Sequence, residues 1–236
     1  MWLYGYKSIP KSRPGRATVN VLVKLLGMSN RVTILRDAPE GPAHEVDVND
    51  IFFSVTDAKG IITHVNEVFA RHAQYSEDEL LSQPHNLIRN EEMPGAAFKL
   101  MWDTIEAGRP FAAYVRNKAK NGSAYDVFAT VTPLPNGSFL SVRTRPMTEM
   151  FTAAGEVYQE ANAIEHEADG VGKRERAERG AGKLAELIPD YDAFIRDALP
   201  AEVEAREAAG FTLPEGQGAV YLSLIHISEP TRRTPI

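Results

Sequence analysis

Residues 111–144 read FAAYVRNKAKNGSAYDVFATVTPLPNGSFLSVRT. Three runs of strand-favouring residues, FAAYVRNKAK, AYDVFATVTPL and SFLSVRTRP, are joined by KNGS and PNGS. An Asn-Gly pair between two such runs is a strong hairpin signal, because both residues tolerate the left-handed backbone of a tight turn. The stretch predicts a three-stranded antiparallel meander. Toward the N-terminus, Phe98, Met101, Trp102 and Ile105 recur at i, i+3, i+4 and i+7, the apolar stripe of one helix. Pro94 marks the start of that helix, Gly108 its end, and Pro110 blocks its continuation. Ser76 and Glu79 have the S-x-x-E spacing of a capping box, and Asn66 is placed to cap a helix through VFARHAQY. IFFSVTD (51–57) and IITHVN (61–66) read as two further strands, with Asp57 to Gly60 turning between them. Two strands, several short helices and three meandering strands make an α+β fold.

A chain of 236 residues suits one or two domains. Its 26 Lys and Arg against 32 Asp and Glu give a net charge of −6, which argues against a mainly electrostatic nucleic-acid binder. With no cysteine, disulfides, thiolate catalysis and Cys-ligated zinc or iron–sulfur centres are excluded. No run of 18 apolar residues is present, so no membrane span is expected. Catalytic signatures such as GxSxG, a P-loop or HExxH are missing from the sequence. Gly180, Gly182 and Lys183 in ERGAGKLAE lack the P-loop spacing, and Glu91 and Glu92, adjacent in the chain, do not converge on one substrate. No enzyme is expected.

Charge divides the chain. Residues 1–36 hold seven Lys or Arg and no acid, and residues 1–44 are expected to form a basic, disordered N-terminal segment, with Met28 as an alternative start. Residues 148–221 hold 16 acidic residues against seven basic ones. LSLIHISEPTR (222–232) resembles the translation of a transposon-end sequencing adaptor, so residues 222–236 are expected to be adaptor-derived and His226 and Arg232 carry no functional argument. The native protein is expected to continue past residue 221 toward an output domain.

The middle of the chain carries a more specific signal. Pro84-His85-Asn86, Arg89, Met93-Pro94, Ala97-Phe98, Met101-Trp102, Gly108, Pro110, Asn117, Lys120-Asn121-Gly122 and Ser141-Val142-Arg143-Thr144 are spaced elements of one pattern. In these, residues 48–146 resemble the PAS domain of bacterial aerotaxis receptors and related chemotaxis transducers. The resemblance implies a five-stranded antiparallel sheet with short helices on one face. It also implies FAD, held non-covalently, through which redox state or oxygen is sensed. Arg89, Asn90, Glu92, Trp102, Phe111 and Asn117 fall at the family's flavin-pocket positions. Asn90 stands where the family has His, Glu91-Glu92 where it has Pro-Asp, and Phe111 where it has Trp. Phe111 keeps an apolar face but loses an indole donor, and Asn90 keeps hydrogen bonding without a titratable ring. Glu91 sets a carboxylate near the expected pyrophosphate. Haem, ranked below FAD, needs His85 as an axial ligand. The alternative is a cofactor-free PAS module for dimerisation or partner docking. Plainer readings of the residues also stand: Arg89 paired with Glu91, Glu92 or a helix end, Met101 and Trp102 as core, Asn117 as a hairpin polar group.

Beyond the last strand, apolar residues at 147, 150, 154, 157, 161, 164, 168 and 171 keep a 3–4 alternation. The seam suits a helix paired in a homodimer, or one folded back on the sheet. GKLAELIPDYDAFIRDALPAEVEAREAAG reads as a second helical stretch broken by Pro189 and Pro200, with no evident mechanism. His166 in AIEHEADG lacks the basic residue and proline of histidine-kinase boxes. Residues 147–221 are therefore expected to be a helical signalling region of a cytoplasmic sensor, acting on a downstream signalling protein or the output domain.

Overall fold

The meander forms as read in the computed structural model, which describes residues 44–167 and 170–211. The expectations placed on residues 1–43 and 212–236, including the alternative start and the adaptor, lie outside the described residues. Strands β3 (Phe111–Lys118), β4 (Ala124–Pro133) and β5 (Phe139–Thr144) pair antiparallel, with Tyr114 opposite Phe128 and Thr130 opposite Val142. In both hairpins the Asn side chain accepts from the backbone N–H and the hydroxyl of the Ser two residues on, Asn121 from Ser123 and Asn136 from Ser138. β1 (Ile51–Thr56) and β2 (Ile62–Val65) complete a five-stranded sheet of order β2-β1-β5-β4-β3.

Between β2 and β3 lie α1 (Glu67–Ala73), α2 (Glu77–Leu80), a 3-10 turn (His85–Ile88) and α3 (Gly95–Glu106). Asn66 caps α1 by accepting from the Phe69 N–H, and Ser76 with Glu79 forms both bonds of the capping box. After β5 come α4 (Met150–Glu167), α5 (Lys173–Leu187) and α6 (Tyr191–Ala208).

Strand alternation gives the sheet two apolar faces. On one, Phe52, Tyr125 and Val127 pack with Phe69, Leu80 and Ile88 of the helical layer. On the other, Tyr114 packs beside Phe128 and meets Phe151 of α4 and Phe194 of α6. Glu202 of α6 accepts from the Tyr114 hydroxyl at 2.8 Å and from the N–H groups of Met147 and Thr148 at 2.6 and 3.1 Å. The carboxylate thereby satisfies backbone donors where the chain turns from β5 into α4.

Of the two arrangements left open for the 147–171 seam, the structure has the fold-back one. Ala154, Val157 and Ala161 are buried, and α4 packs against α5 and α3 of the same chain. Pro189 separates α5 from α6 as expected, but the break expected at Pro200 does not occur, because Pro200 lies inside α6. Its neighbours Ala198, Leu199 and Glu202 are buried while Pro200 itself faces solvent, so packing carries the helix past the missing hydrogen bond.

One contact joins the C-terminal helices to α3. No side chain of the N-cap, Pro94, serves the first N–H groups of α3. The carboxylate of Glu165, on α4, takes that place, accepting from the Gly95 and Ala96 N–H groups at 2.8 Å each. A negative group at the positive end of the helix dipole is favourable. Gly180 of α5 leaves it room, since a Cβ at that position would lie 2.3 Å from Glu165 Oε1. In an ordinary helix Gly→Ala stabilises by about 1 kcal/mol. Here Gly180→Ala is expected to do the reverse, lowering stability by about 1–3 kcal/mol through overpacking, read from the urea-unfolding midpoint.

Candidate functional site

Between the inner face of the sheet, α3 and the 3-10 turn lies a cavity of about 370 Å³. The apolar stripe of α3 forms one wall with Phe98, Met101, Trp102 and Ile105, and Phe111, Val115, Val131 and Phe139 from the strands form the other. Exposed Lys59 and Asn86 line its open side.

Four of the six residues read as a pocket come together here. Arg89, Trp102, Phe111 and Asn117 all line the cavity. The backbones of Arg89 and Asn117 form an isolated antiparallel bridge, which fixes the 3-10 turn against β3. The Arg89 guanidinium donates to the Met93 carbonyl at 3.0 Å and sits 4.4 Å over the Phe98 ring. Burial pulls its pKa below the usual arginine value, against the opposing field of Glu165. The Trp102 indole lies against Gly60, whose φ of +78° and missing Cβ permit that approach, and meets Phe139 edge-on at 5.7 Å. Phe111 stacks on Tyr191 of α6, with ring centres 5.4 Å apart and planes within 4°. Asn117 is 4% exposed, and its Nδ2 has no hydrogen-bond partner among the described residues.

The other two, Asn90 and Glu92, do not line the cavity. Asn90 is buried, and its Oδ1 accepts from the Glu92 N–H at 2.9 Å, closing the turn before α3. Glu92 pairs at 2.8 Å with Arg116, which also makes two bonds to Asp126. Alternation sends Arg116 to the face opposite Val115 and Asn117, and Glu92 goes with it. Glu91 reaches toward Lys118 at 3.7 Å, so neither carboxylate pairs with Arg89. The acids that sequence places beside the pocket are held away from it by cations outside.

Sequence reasoning missed the polar inner end. Arg143 is 5% exposed and lines the cavity. Its Nη1 donates to Ser54 Oγ at 3.1 Å and its Nη2 to His85 Nε2 at 2.7 Å, and the guanidinium lies 5.2 Å from the Phe69 ring centre. Burial, and then the neighbouring guanidinium, hold the His85 pKa down to about 3, so the ring is a neutral acceptor at neutral pH. Burial lowers that of Arg143 to about 10, which leaves it cationic. Ser141, 7% exposed, lines the same cavity, and its hydroxyl has no hydrogen-bond partner among the described residues. The signal was available: Phe139, Ser141 and Arg143 share a face of β5, and a cation at an inward position of a central strand is unusual. His85 Nε2, the atom a haem iron needs, is held by Arg143 and Ser54.

Residues 62–143 match the family model described as the PAS fold, and this part of the chain has that fold, followed by a helical C-terminal region. Over 114 residues the chain is 39% identical to the aerotaxis receptor of Escherichia coli (strain K12), covering 47% of this chain and 22% of that protein. It is 32% identical over 91 residues to the nitrogen fixation regulatory protein of Klebsiella pneumoniae, covering 39% and 18%. The chain thus spans about a fifth of the length of these relatives. Among solved structures, the LOV domain from the Erythrobacter litoralis EL346 blue-light activated histidine kinase aligns at 14% identity and a TM-score of 0.38, covering 40% of this chain and 94% of that one.

The depressed His85 pKa makes stability depend on acid. Unfolded His85 takes a proton near pH 6.5 and folded His85 only near 3. Its contribution is therefore complete above about pH 6.5 and is lost as pH falls toward 3. His85→Gln, which keeps an acceptor for Arg143, is expected to flatten this acid limb, measured as urea midpoint against pH for both proteins.

Proposed function

We propose that the PAS domain senses a bound ligand, FAD first, and passes its state to the C-terminal helices. The observation that carries this reading is the chemistry of the cavity lining. In a chain of net charge −6, it presents Lys59, Arg89 and Arg143 and, among the described residues, no carboxylate. Such a lining suits a flat, anionic guest. The aromatic and aliphatic walls fit a planar ring, the unmet donors of Asn117 and Ser141 fit its polar edge, and Lys59 and Arg89 fit phosphates. Likeness to an aerotaxis receptor supports the same reading. A bound flavin supplies a ring whose charge and hydrogen bonding change on reduction.

The chain supplies the path outward. α3 forms a cavity wall, and its N-terminus is held by Glu165 of α4. Phe111 forms the opposite wall and stacks on Tyr191 of α6. A displacement of either wall must move a C-terminal helix, because packed side chains transmit shifts rather than absorb them. The cofactor-free alternative calls for a core closed by side chains, and the cavity weighs against it. A homodimer would use a surface other than the seam that α4 buries within the chain. No helix of the described residues is long and apolar enough to cross a membrane, and the reading is of a bacterial, cytoplasmic sensor acting on a downstream signalling protein.

The test is the absorbance spectrum of the full chain, purified without added flavin and then denatured. Twin flavin bands and release of FAD are expected, with retention about tenfold lower in Asn117→Ala, the loss of one buried hydrogen bond. A protein that stays colourless after incubation with FAD sinks the flavin reading.

A further inference from the structure

Arg143 is the observation that the fold leaves unexplained. A buried guanidinium ordinarily has a carboxylate partner, because moving an unpaired charge out of water is costly. Three other buried or nearly buried ions of the described residues follow that rule or its equivalent. Arg116 has Asp126 and Glu92, and Glu165 and Glu202 collect backbone N–H groups. Arg143 has two neutral acceptors, Ser54 Oγ and His85 Nε2, and a ring face. No carboxylate of the described residues pairs with it.

Two further groups point the same way. Asn117 Nδ2 and Ser141 Oγ are buried, line the same cavity and have no hydrogen-bond partner among the described residues. A cation and these two polar groups thus line one cavity, most of whose remaining wall is apolar. His85 does not offset the charge, since it is a neutral acceptor. It aims the guanidinium instead, with the Ser54 hydroxyl bonded to both.

We propose that Arg143, positioned by His85 and Ser54, is the recognition residue for the inner edge of the ligand, and that this edge is planar and carries negative charge or carbonyl acceptors. Both the dione edge of a flavin ring and an aromatic carboxylate have that chemistry. The assignment to the flavin edge rests on the FAD reading above; the demand for an acceptor edge does not. Arg143 then divides labour with Lys59, an exposed cation on the open side of the cavity, where a phosphate would lie.

The two ends separate by probe. Riboflavin has the ring and no phosphate; FAD has both. In the full chain, Arg143→Met is expected to weaken riboflavin and FAD by the same factor, about tenfold or more, as for loss of a charged hydrogen bond. Arg143→Lys recovers part of the loss, whereas Lys59→Ala weakens FAD alone. Arg143→Gln is measured in parallel, so that a poorly folding Met variant leaves the comparison intact. A loss confined to FAD, or one under about threefold for riboflavin, overturns the proposal. If the unaltered chain binds neither flavin, the FAD reading falls, and benzoate against neutral benzamide decides the remainder. Benzoate alone raising the melting temperature, with the effect abolished in Arg143→Met, supports an acceptor-edge site. Equal effects of the two compounds, or none, overturn it.

Discussion

A five-stranded sheet with apolar side chains on both faces must cover both, and the rest of the structure follows from how it does so. The inner face is covered by short helices too few and too small to fill the space above β3, β4 and β5. That leaves the cavity of about 370 Å³. The outer face is covered by α4 and α6, whose Phe151 and Phe194 pack on Tyr114. Area burial of this kind is the main favourable term in folding. The C-terminal helices are therefore part of the domain's stability.

Buried charges mark the joints of this arrangement. Glu202 ties α6 to the start of α4, and Glu165 ties α4 to the start of α3. Each carboxylate meets backbone N–H groups that have no helical partner, so burial is compensated by hydrogen bonds and by the helix dipole. Arg143 is the contrasting case, a buried cation with neutral acceptors only. Buried ions that are compensated hold parts of a fold together; one that is not marks a place where the fold expects something else.

The elements that line the cavity also contact the C-terminal helices. α3 presents Phe98, Met101, Trp102 and Ile105 to the cavity and its N-terminal amides to Glu165. β3 presents Phe111 and Asn117 to the cavity, while Tyr114, on its other face, bonds Glu202. One strand thus has the cavity on one side and the C-terminal helices on the other. No second conformation is needed to see the mechanical connection, only the fact that close-packed layers move together.

The sequence by itself determined the local structure. Both Asn-Gly hairpins, the Asn66 cap, the Ser76 capping box and the α3 stripe form where pattern placed them, because each depends on residues a few positions apart. It also determined the α+β class, and it placed Arg89, Trp102, Phe111 and Asn117 together at the cavity. Only the tertiary structure decided which partner each charge takes. Glu92 went to Arg116 across the sheet, Glu165 reached α3 from 69 positions along the chain, and Pro200 continued a helix because its neighbours were buried. The seam after β5 fitted two arrangements equally, since periodicity reports that a face is apolar and not what covers it. The physical reason is range. Capping and turn chemistry act within a few residues, whereas burial and the pairing of buried charges depend on neighbours that only the folded chain brings together.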